Sequence, residues 1–194
     1  RAELTNFIQV LTQNTAVIAW AHTMASSFLT SATLFVGVSA WLLVKNKGAD
    51  VARATLKLGA ITAIVAGLLT AVTGDMDSKI MVQQQPMKMA AAEGLYETQT
   101  NAGFSIFTVG NLEGTRAVTE IKIPGLLSYL ATGSFDGQVK GINDLQAEYS
   151  NTYGQGWYAP NIPSTYWTFR LMIGMGMLAM AYGLWALWAT RRGR

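Results

Sequence analysis

The sequence of 194 residues contains no cysteine, a single histidine and few charged side chains. Without cysteine it forms no disulfide, zinc–thiolate site or iron–sulfur cluster, so a metal must rest on histidine, methionine, carboxylates or a cofactor. Charged residues make up 13% of the chain, whereas soluble domains have about 25%. This shortage is typical of a membrane protein. The net charge of +3 is modest, and we expect no nucleic-acid partner.

Three segments are long and apolar enough to cross a bilayer, which takes about 20 residues. They cover residues 15–44, 54–73 and 164–190. The first contains no formal charge, the second contains only Lys57 near its start, and the third contains only Arg170. The sequence therefore predicts an all-α membrane protein with three transmembrane helices, which form part of a larger helical bundle within the lipid bilayer.

The basic residues predict the orientation of these helices, because cytoplasmic loops are rich in lysine and arginine. The link at 45–53 and the following helical turn contain one acidic residue, Asp50, and four basic residues: Lys45, Lys47, Arg53 and Lys57. The tail at 191–194 reads RRGR. We expect both to be cytoplasmic. Residues 1–14 and the long loop at 74–163 then lie outside. No signal peptide is predicted, and we expect the chain to be a segment of a longer polypeptide.

The loop at 74–163 is much longer than a simple connection, so it should have structure of its own. Pro86 is typical of a helix start and indicates a helix in the segment MVQQQPMKMAAAEGLYET. The β-branched and aromatic runs FSIFTV and AVTEIKI predict short strands. We find no internal repeat in the sequence.

His22 is the only histidine, and it lies about seven residues into the first helix from its outer end, or roughly 10 Å deep. An ionisable side chain inside a membrane suggests a functional site. The alternative is a structural histidine that is hydrogen-bonded to a carbonyl or hydroxyl of a neighbouring helix. Small residues at Ala19, Ala25 and Ser26 leave room for a flat macrocycle beside it.

Met172 lies about eight residues into the third helix from the same side, so its predicted depth is close to that of His22. Gly174 and Gly176 leave room for a macrocycle beside this helix as well. A His/Met pair that holds a haem iron between helices is an established arrangement, in which methionine raises the reduction potential. Met172 alone is weak support, because most methionines in such helices pack or face lipid, and this helix has four: Met172, Met175, Met177 and Met180.

Arg170 is the only charge in the third helix and lies near the outer membrane boundary. One interpretation is that its side chain snorkels to the interface. The other is that its guanidinium binds a haem propionate, since arginine binds carboxylates in a fork. A cation close to the iron would raise the reduction potential.

Lys88 and Glu93 are five residues apart in the predicted loop helix, so they point about 140° from each other and do not form an i,i+4 ion pair. Both are thus free for other partners. A carboxylate can accept a proton from a quinol, and a lysine can hold a quinone oxygen by hydrogen bonding. The alternative is an ordinary solvated helix face.

The segments AHTMASSFLTSATLFVGVSAW, GDMDSKIMVQQQPMKMAAAEGLYET and FRLMIGMG together resemble subunit I of cytochrome bd-type quinol oxidases. The resemblance implies that His22 and Met172 are the axial iron ligands of a low-spin haem b and that Arg170 lies beside that haem. It also implies that Lys88 and Glu93 act in quinol oxidation, in a Q loop of the shorter kind.

The chain departs from the family pattern in its extent. The three helices correspond to the fifth to seventh of a complete subunit I, so the oxygen-reducing site is missing from this segment. In the complete complex the resemblance implies a further high-spin haem b and haem d. It also implies the rest of subunit I, subunit II and small single-helix subunits as partners, and ubiquinol or menaquinol as substrate.

The expected function is therefore electron entry into a terminal respiratory oxidase, in a quinol:oxygen oxidoreductase of a bacterial or archaeal cytoplasmic membrane. Quinol is oxidised at the outer face, and electrons pass through the His/Met-ligated haem. Two alternatives stay open on the residues alone. One is a transporter or proton-relay segment that uses His22, and the other is a scaffold subunit without a cofactor.

Overall fold

The structure is a computed structural model that describes residues 6–111 and 114–191. The first five residues of the predicted outer segment and residues 192–194 of the predicted cytoplasmic tail lie outside the described residues. The chain divides into two compact units. One unit contains the residues up to Asp77 and those from Ile173 onwards, and the other runs from Ser78 to Met172.

A short helix, α1 (Phe7–Leu11), precedes the first of three long helices, which are α2 (Asn14–Val44), α3 (Ala49–Gln84) and α7 (Ile162–Thr190). Each long helix is long and apolar enough to cross a membrane, which confirms the three predicted segments. The second helix differs from its prediction of 54–73, because it begins earlier and continues well into the segment that we expected to be loop. Helices α2 and α7 each begin within two residues of the expected position.

Proline explains where α3 ends. The residue before a proline is disfavoured in the helical conformation, and Gln85, which precedes Pro86, has φ −138° and ψ 56°. Pro86 then opens α4 (Pro86–Glu93), since proline is favoured at the first helical position. The predicted loop helix is therefore confirmed, and α3 ends at Gln84, so that only Gln85 separates the two helices.

The first unit packs its helices through small residues. Alanines of α2 and α3 form the cores of two clusters with Leu29, Val36 and Leu56. A Cβ placed on Gly59 would lie 3.1 Å from the Ala32 carbonyl oxygen, and one on Gly183 would lie 3.0 Å from the Ala60 carbonyl oxygen. Membrane helices approach each other closely at small residues, because lipid supplies no hydrophobic drive for their association.

The second unit combines short helices with strands. Its elements between α4 and α7 are β1 (Gln99–Thr100), β2 (Phe104–Gly110), β3 (Ala117–Ile123), α5 (Leu126–Thr132), β4 (Gln138–Val139) and α6 (Ile142–Tyr153). β2 pairs antiparallel with β3, and β1 pairs antiparallel with β4. The two predicted strands are thus confirmed as one hairpin, and the predicted fold class, three transmembrane helices with a long, partly structured loop, is confirmed.

Two apolar clusters form the core of the second unit. One packs α4 and α6 around Ile142 and Leu145, and the other surrounds Leu95 and Leu127. Ser128 is fully buried, where its hydroxyl accepts a hydrogen bond from the Ala102 amide at 2.7 Å and donates one to the Gly137 carbonyl at 2.6 Å. The loop therefore has an interior of its own, as its length predicted.

The close approach at Gly183 yields a stability prediction. Gly183→Leu should separate α3 from α7 and cost about 1–3 kcal/mol, because overpacking a close contact forces backbone shifts. The measurement is the thermal midpoint of the purified protein in detergent. Gly37→Leu is the matched control, since a Cβ there meets no atom within 4 Å. Equal midpoints for the two variants would contradict the packing argument.

Candidate functional site

Glu93 is the last residue of α4, and its side chain is buried. The helix ends there because Gly94 takes a left-handed conformation with φ 62°, which glycine adopts without strain. The amides of Gly94 and Leu95 then bond the carbonyls of Ala91 and Ala90. Glu93 itself is 3% exposed. The alternative of a solvated helix face is therefore wrong for this residue.

Arg170 of α7 binds Glu93 in a buried ion pair. Its Nη2 lies 2.5 Å from Oε2 of Glu93, and the two side chains are 9% and 2% exposed. The guanidinium also lies over the Phe104 ring, with its carbon 4.4 Å from the ring centroid, and near the ring of Tyr166 at 5.0 Å. The guanidinium is thus enclosed rather than extended to an aqueous interface.

The rest of this guanidinium is unpaired. Nε and Nη1 of Arg170 are buried, and neither has a hydrogen-bond partner among the residues that the structure describes. Buried polar groups are nearly always hydrogen-bonded, so an exception needs an explanation. Both nitrogens carry N–H donors that can hydrogen-bond an acceptor. The side chain is therefore half satisfied by Glu93 and suited to a second anionic partner.

A chain of hydroxyl groups holds the start of α7 against the β2–β3 hairpin. The Tyr166 hydroxyl is 2.7 Å from Oγ of Ser105, which is 2.6 Å from Oγ1 of Thr108. All three residues are buried. The ring of Trp167 packs edge-on against Phe107, with ring centroids 5.4 Å apart. These contacts fix the turn of α7 from which Arg170 reaches Glu93.

Burial changes the acid–base behaviour of Glu93. Loss of solvation raises the pKa of its carboxyl group above the usual value, and the Arg170 guanidinium opposes this effect by stabilising the carboxylate. Desolvation is the larger of the two effects, so the pKa stays raised. A carboxylate with a raised pKa is a better proton acceptor near neutral pH.

Lys88 is not brought to this pair. Its side chain is exposed on α4, while Met87 and Met89 on either side of it are buried. The opposite environments of Lys88 and Glu93 agree with their angular separation on a helix. Within the described ranges, Lys88 forms no ion pair or hydrogen bond.

His22 lies half-buried on α2 in the first unit. Its Nδ1 is 3.2 Å from Oγ1 of Thr73 on α3. This is the structural hydrogen bond that we considered as the alternative to a ligand role, but it uses only one ring nitrogen. Nε2 has no hydrogen-bond partner among the residues that the structure describes. The two interpretations of His22 are therefore compatible.

Met172 is 52% exposed, so its sulfur is not enclosed by the chain. A Cβ added at Gly174 or Gly176 would meet no atom within 4 Å, which leaves open space along α7 beyond Met172. The described residues contain no cluster of three or more histidines, cysteines or carboxylates that could hold a metal ion.

These features define a polytopic α-helical membrane protein whose second compact unit contains a buried Glu93–Arg170 ion pair. The family model described as cytochrome bd terminal oxidase subunit I matches residues 1–193. The chain belongs to this family.

Similar proteins agree with this assignment. The chain is 37% identical to the cytochrome bd ubiquinol oxidase subunit 1 of Bacillus subtilis, over 99% of its own length and 41% of that protein. It is 26% identical to the cytochrome bd-II ubiquinol oxidase subunit 1 of Escherichia coli, over all of its own length and 49% of that protein. The solved bd oxidase of Geobacillus thermodenitrificans aligns with a TM-score of 0.66 and 26% identity, over 94% of this chain and 48% of that one. The chain thus spans less than half of each relative.

Sequence reasoning missed the residues that surround the candidate groups. Phe104, Ser105 and Tyr166 enclose or support Arg170, and Thr73 contacts His22. Aromatic and hydroxyl residues are frequent throughout this chain, so no local pattern distinguishes these. A resemblance centred on charged residues gave no signal for them.

The buried ion pair predicts non-additive effects on stability. Arg170→Met should cost about 3–5 kcal/mol, because it leaves a buried carboxylate without its partner. Adding Glu93→Gln should recover part of this loss. The measurement is the thermal midpoint of the purified protein. In contrast, Lys140→Met breaks an exposed pair with Glu148 and should leave the thermal midpoint nearly unchanged, because solvent screens exposed charges. If the loss of stability in the double variant equals the sum of the losses in the two single variants, Glu93 and Arg170 are not coupled.

Proposed function

We propose that this chain is the electron-entry segment of a terminal respiratory oxidase in the cytoplasmic membrane of a bacterium or archaeon. Quinol is oxidised at the second unit (Ser78–Met172), which we call the loop unit, and the electrons leave through a low-spin haem b with His22 and Met172 as iron ligands. The observation that carries the proposal is the buried Glu93–Arg170 pair, whose guanidinium retains two buried, unpartnered nitrogens. One side chain thus binds a carboxylate base and has donors left for a second anion.

Glu93 is the proton acceptor in this proposal. A quinol that loses two electrons must also lose two protons, and a carboxylate with a raised pKa is matched to accept a proton near neutral pH. Protonation removes the negative charge that compensates the buried guanidinium, and an unpaired buried cation is costly. Arg170 therefore favours release of the proton from Glu93, which returns the base to its active form.

Lys88 acts as a hydrogen-bond donor to a quinone oxygen. Its exposed position leaves its three N–H donors free for a ligand. Because Lys88 and Glu93 lie on different faces of α4, we assign them to different functions, one to binding the quinol head group and the other to accepting a proton. The residues do not distinguish ubiquinol from menaquinol as the substrate.

The residues present fit a haem. When bound, a low-spin haem supplies a one-electron carrier, which suits the stepwise oxidation of a quinol. His22 offers an imidazole nitrogen and Met172 a thioether sulfur, the donor pair used in cytochromes with high potentials. Nε and Nη1 of Arg170 offer N–H donors from which a propionate oxygen could accept a hydrogen bond. Because Glu93 and Arg170 form one ion pair, the proposed proton acceptor lies next to the residue that would donate hydrogen bonds to the propionate.

Oxygen reduction belongs to the rest of the complex in this proposal. The haem d and high-spin haem b would be held by the remainder of subunit I, and subunit II and small single-helix subunits would complete the assembly. With the loop unit at the outer face, protons from quinol are released outside. Electrons that move inward to oxygen then contribute to a membrane potential.

The ligand assignment predicts a spectroscopic loss. In the assembled membrane complex, His22→Ala should abolish the low-spin haem b band of the dithionite-reduced absorbance spectrum. Met172→Leu should abolish it or convert it to a high-spin form, because leucine offers no donor atom. Met175→Leu is the control, as an exposed methionine on the same helix. A normal low-spin band in His22→Ala would contradict the ligand role of His22, and absence of this haem from the complete wild-type complex would favour a transporter or scaffold.

The quinol site predicts separate kinetic effects for its two residues. Glu93→Gln should lower kcat by about 10²–10⁴-fold, because it removes the general base. Lys88→Ala should mainly raise KM, by about ten- to a hundredfold, since a hydrogen bond to a charged group contributes about 1.5–3 kcal/mol. The measurement is quinol oxidation by the complex at matched haem content. Glu120→Gln, an exposed change on β3, should leave both constants unaltered. Wild-type kinetics in Glu93→Gln and Lys88→Ala would remove their assigned roles.

A further inference from the structure

Thr73 is the one side chain that forms a hydrogen bond with His22 in the described part of the chain. The threonine lies on α3 and the histidine on α2, and both belong to the first unit. Oγ1 of Thr73 is 3.2 Å from Nδ1 of His22. The direction of this hydrogen bond decides which ring nitrogen of His22 carries a proton.

The hydroxyl proton of Thr73 is already committed. Oγ1 lies 2.7 Å from the Leu69 carbonyl oxygen and 3.3 Å from the Thr70 carbonyl oxygen. Carbonyl oxygens only accept hydrogen bonds, and a hydroxyl has a single proton to donate. The shorter contact with Leu69 therefore takes that proton. Only a lone pair of Oγ1 remains to face His22, so Nδ1 of His22 must be the donor.

We infer that Thr73 is a positioning residue that holds His22 in the tautomer with a proton on Nδ1. A neutral imidazole with its proton on Nδ1 has its lone pair on Nε2, which is the form that a metal ligand requires at that atom. Nε2 has no competing hydrogen bond from any described residue. This inference rests on the proposed function, because it assigns Nε2 as the iron ligand.

Gly74 supports the same arrangement from the next position. A Cβ at this residue would lie 3.1 Å from Cε1 and 3.4 Å from Nδ1 of His22. Both distances are to the ring edge that faces Thr73. The missing side chain therefore lets the imidazole approach α3 closely enough for the hydrogen bond. Two consecutive residues thus define the protonation and the placement of one ring.

The hydrogen bond has an electronic consequence. An acceptor on Nδ1–H raises the basicity of a ligating imidazole. A more basic ligand stabilises ferric iron over ferrous iron, because the oxidised ion carries more positive charge. Thr73 should therefore lower the reduction potential of the haem, which opposes the effects of Met172 and Arg170.

The test replaces this hydroxyl by an isosteric methyl group in the complete membrane complex. Thr73→Val should shift the reduction potential of the low-spin haem upward and change the g values of its ferric electron paramagnetic resonance spectrum. Thr73→Ser keeps the hydroxyl and should retain both properties. Thr70→Val is the matched control, because Thr70 lies on the same helix and donates to the Ala66 carbonyl at 2.8 Å without contacting His22.

The outcomes separate this inference from the haem assignment. An unchanged potential and spectrum in Thr73→Val, while His22→Ala loses the haem signal, overturns the role of Thr73 alone. Retention of the signal in His22→Ala overturns the proposed function as well. If Thr73→Val fails to assemble, Thr73→Ala is measured in its place, with the same expected upward shift. Loss of haem in a valine or alanine variant that assembles, with haem retained in Thr73→Ser and Thr70→Val, supports the inference.

Discussion

The loop unit depends on the burial of one ion pair, Glu93 with Arg170. Removing two charges from water is expensive, and their attraction offsets this cost only when the geometry is good and the remaining donors are satisfied. The rings of Phe104 and Tyr166 enclose the Arg170 guanidinium, and the left-handed Gly94 ends α4 directly after Glu93. It leaves two guanidinium nitrogens without a protein partner. An incomplete pair of this kind is poorly explained by stability alone, which is why we propose it as a site for an anion and a proton.

His22, in the first unit, likewise has a protein partner for only part of its hydrogen-bonding capacity among the described residues. Each of its two ring nitrogens can bond a different partner, and the structure assigns one of them to a threonine on the neighbouring helix. A structural hydrogen bond and a ligand role are therefore complementary rather than competing, since a ligating imidazole needs a partner on its second nitrogen. The close packing of α2 and α3 through small residues such as Gly59 and Gly74 makes that contact possible.

Much of the architecture could be predicted because it follows from local rules. Apolar length located the three long helices, Pro86 located the start of α4, and β-branched and aromatic runs located the hairpin strands. The end of α3 was misplaced, because hydropathy falls after Thr73 while the backbone remains helical until the proline. The candidate residues came from their rarity in an apolar chain and from the family resemblance. The partners of these residues could not be predicted, since Thr73, Ser105 and Tyr166 are common residue types in ordinary positions.

The sequence by itself determined that this protein spans a membrane, that a metal site has only histidine, methionine, carboxylates or a cofactor to use, and that Arg170 is an unusual charge in an apolar helix. Composition and periodicity are local properties, so no fold was needed to read them. Only the tertiary structure decided that Arg170 binds Glu93, which lies 77 residues away in the chain, and that Thr73 faces Nδ1 of His22. The first pairing depends on how α4, α7 and the hairpin pack together, and the second depends on which faces of α2 and α3 meet. The physical reason is that a side chain's charge is encoded at its own position, whereas its partner is set by the packing of distant segments.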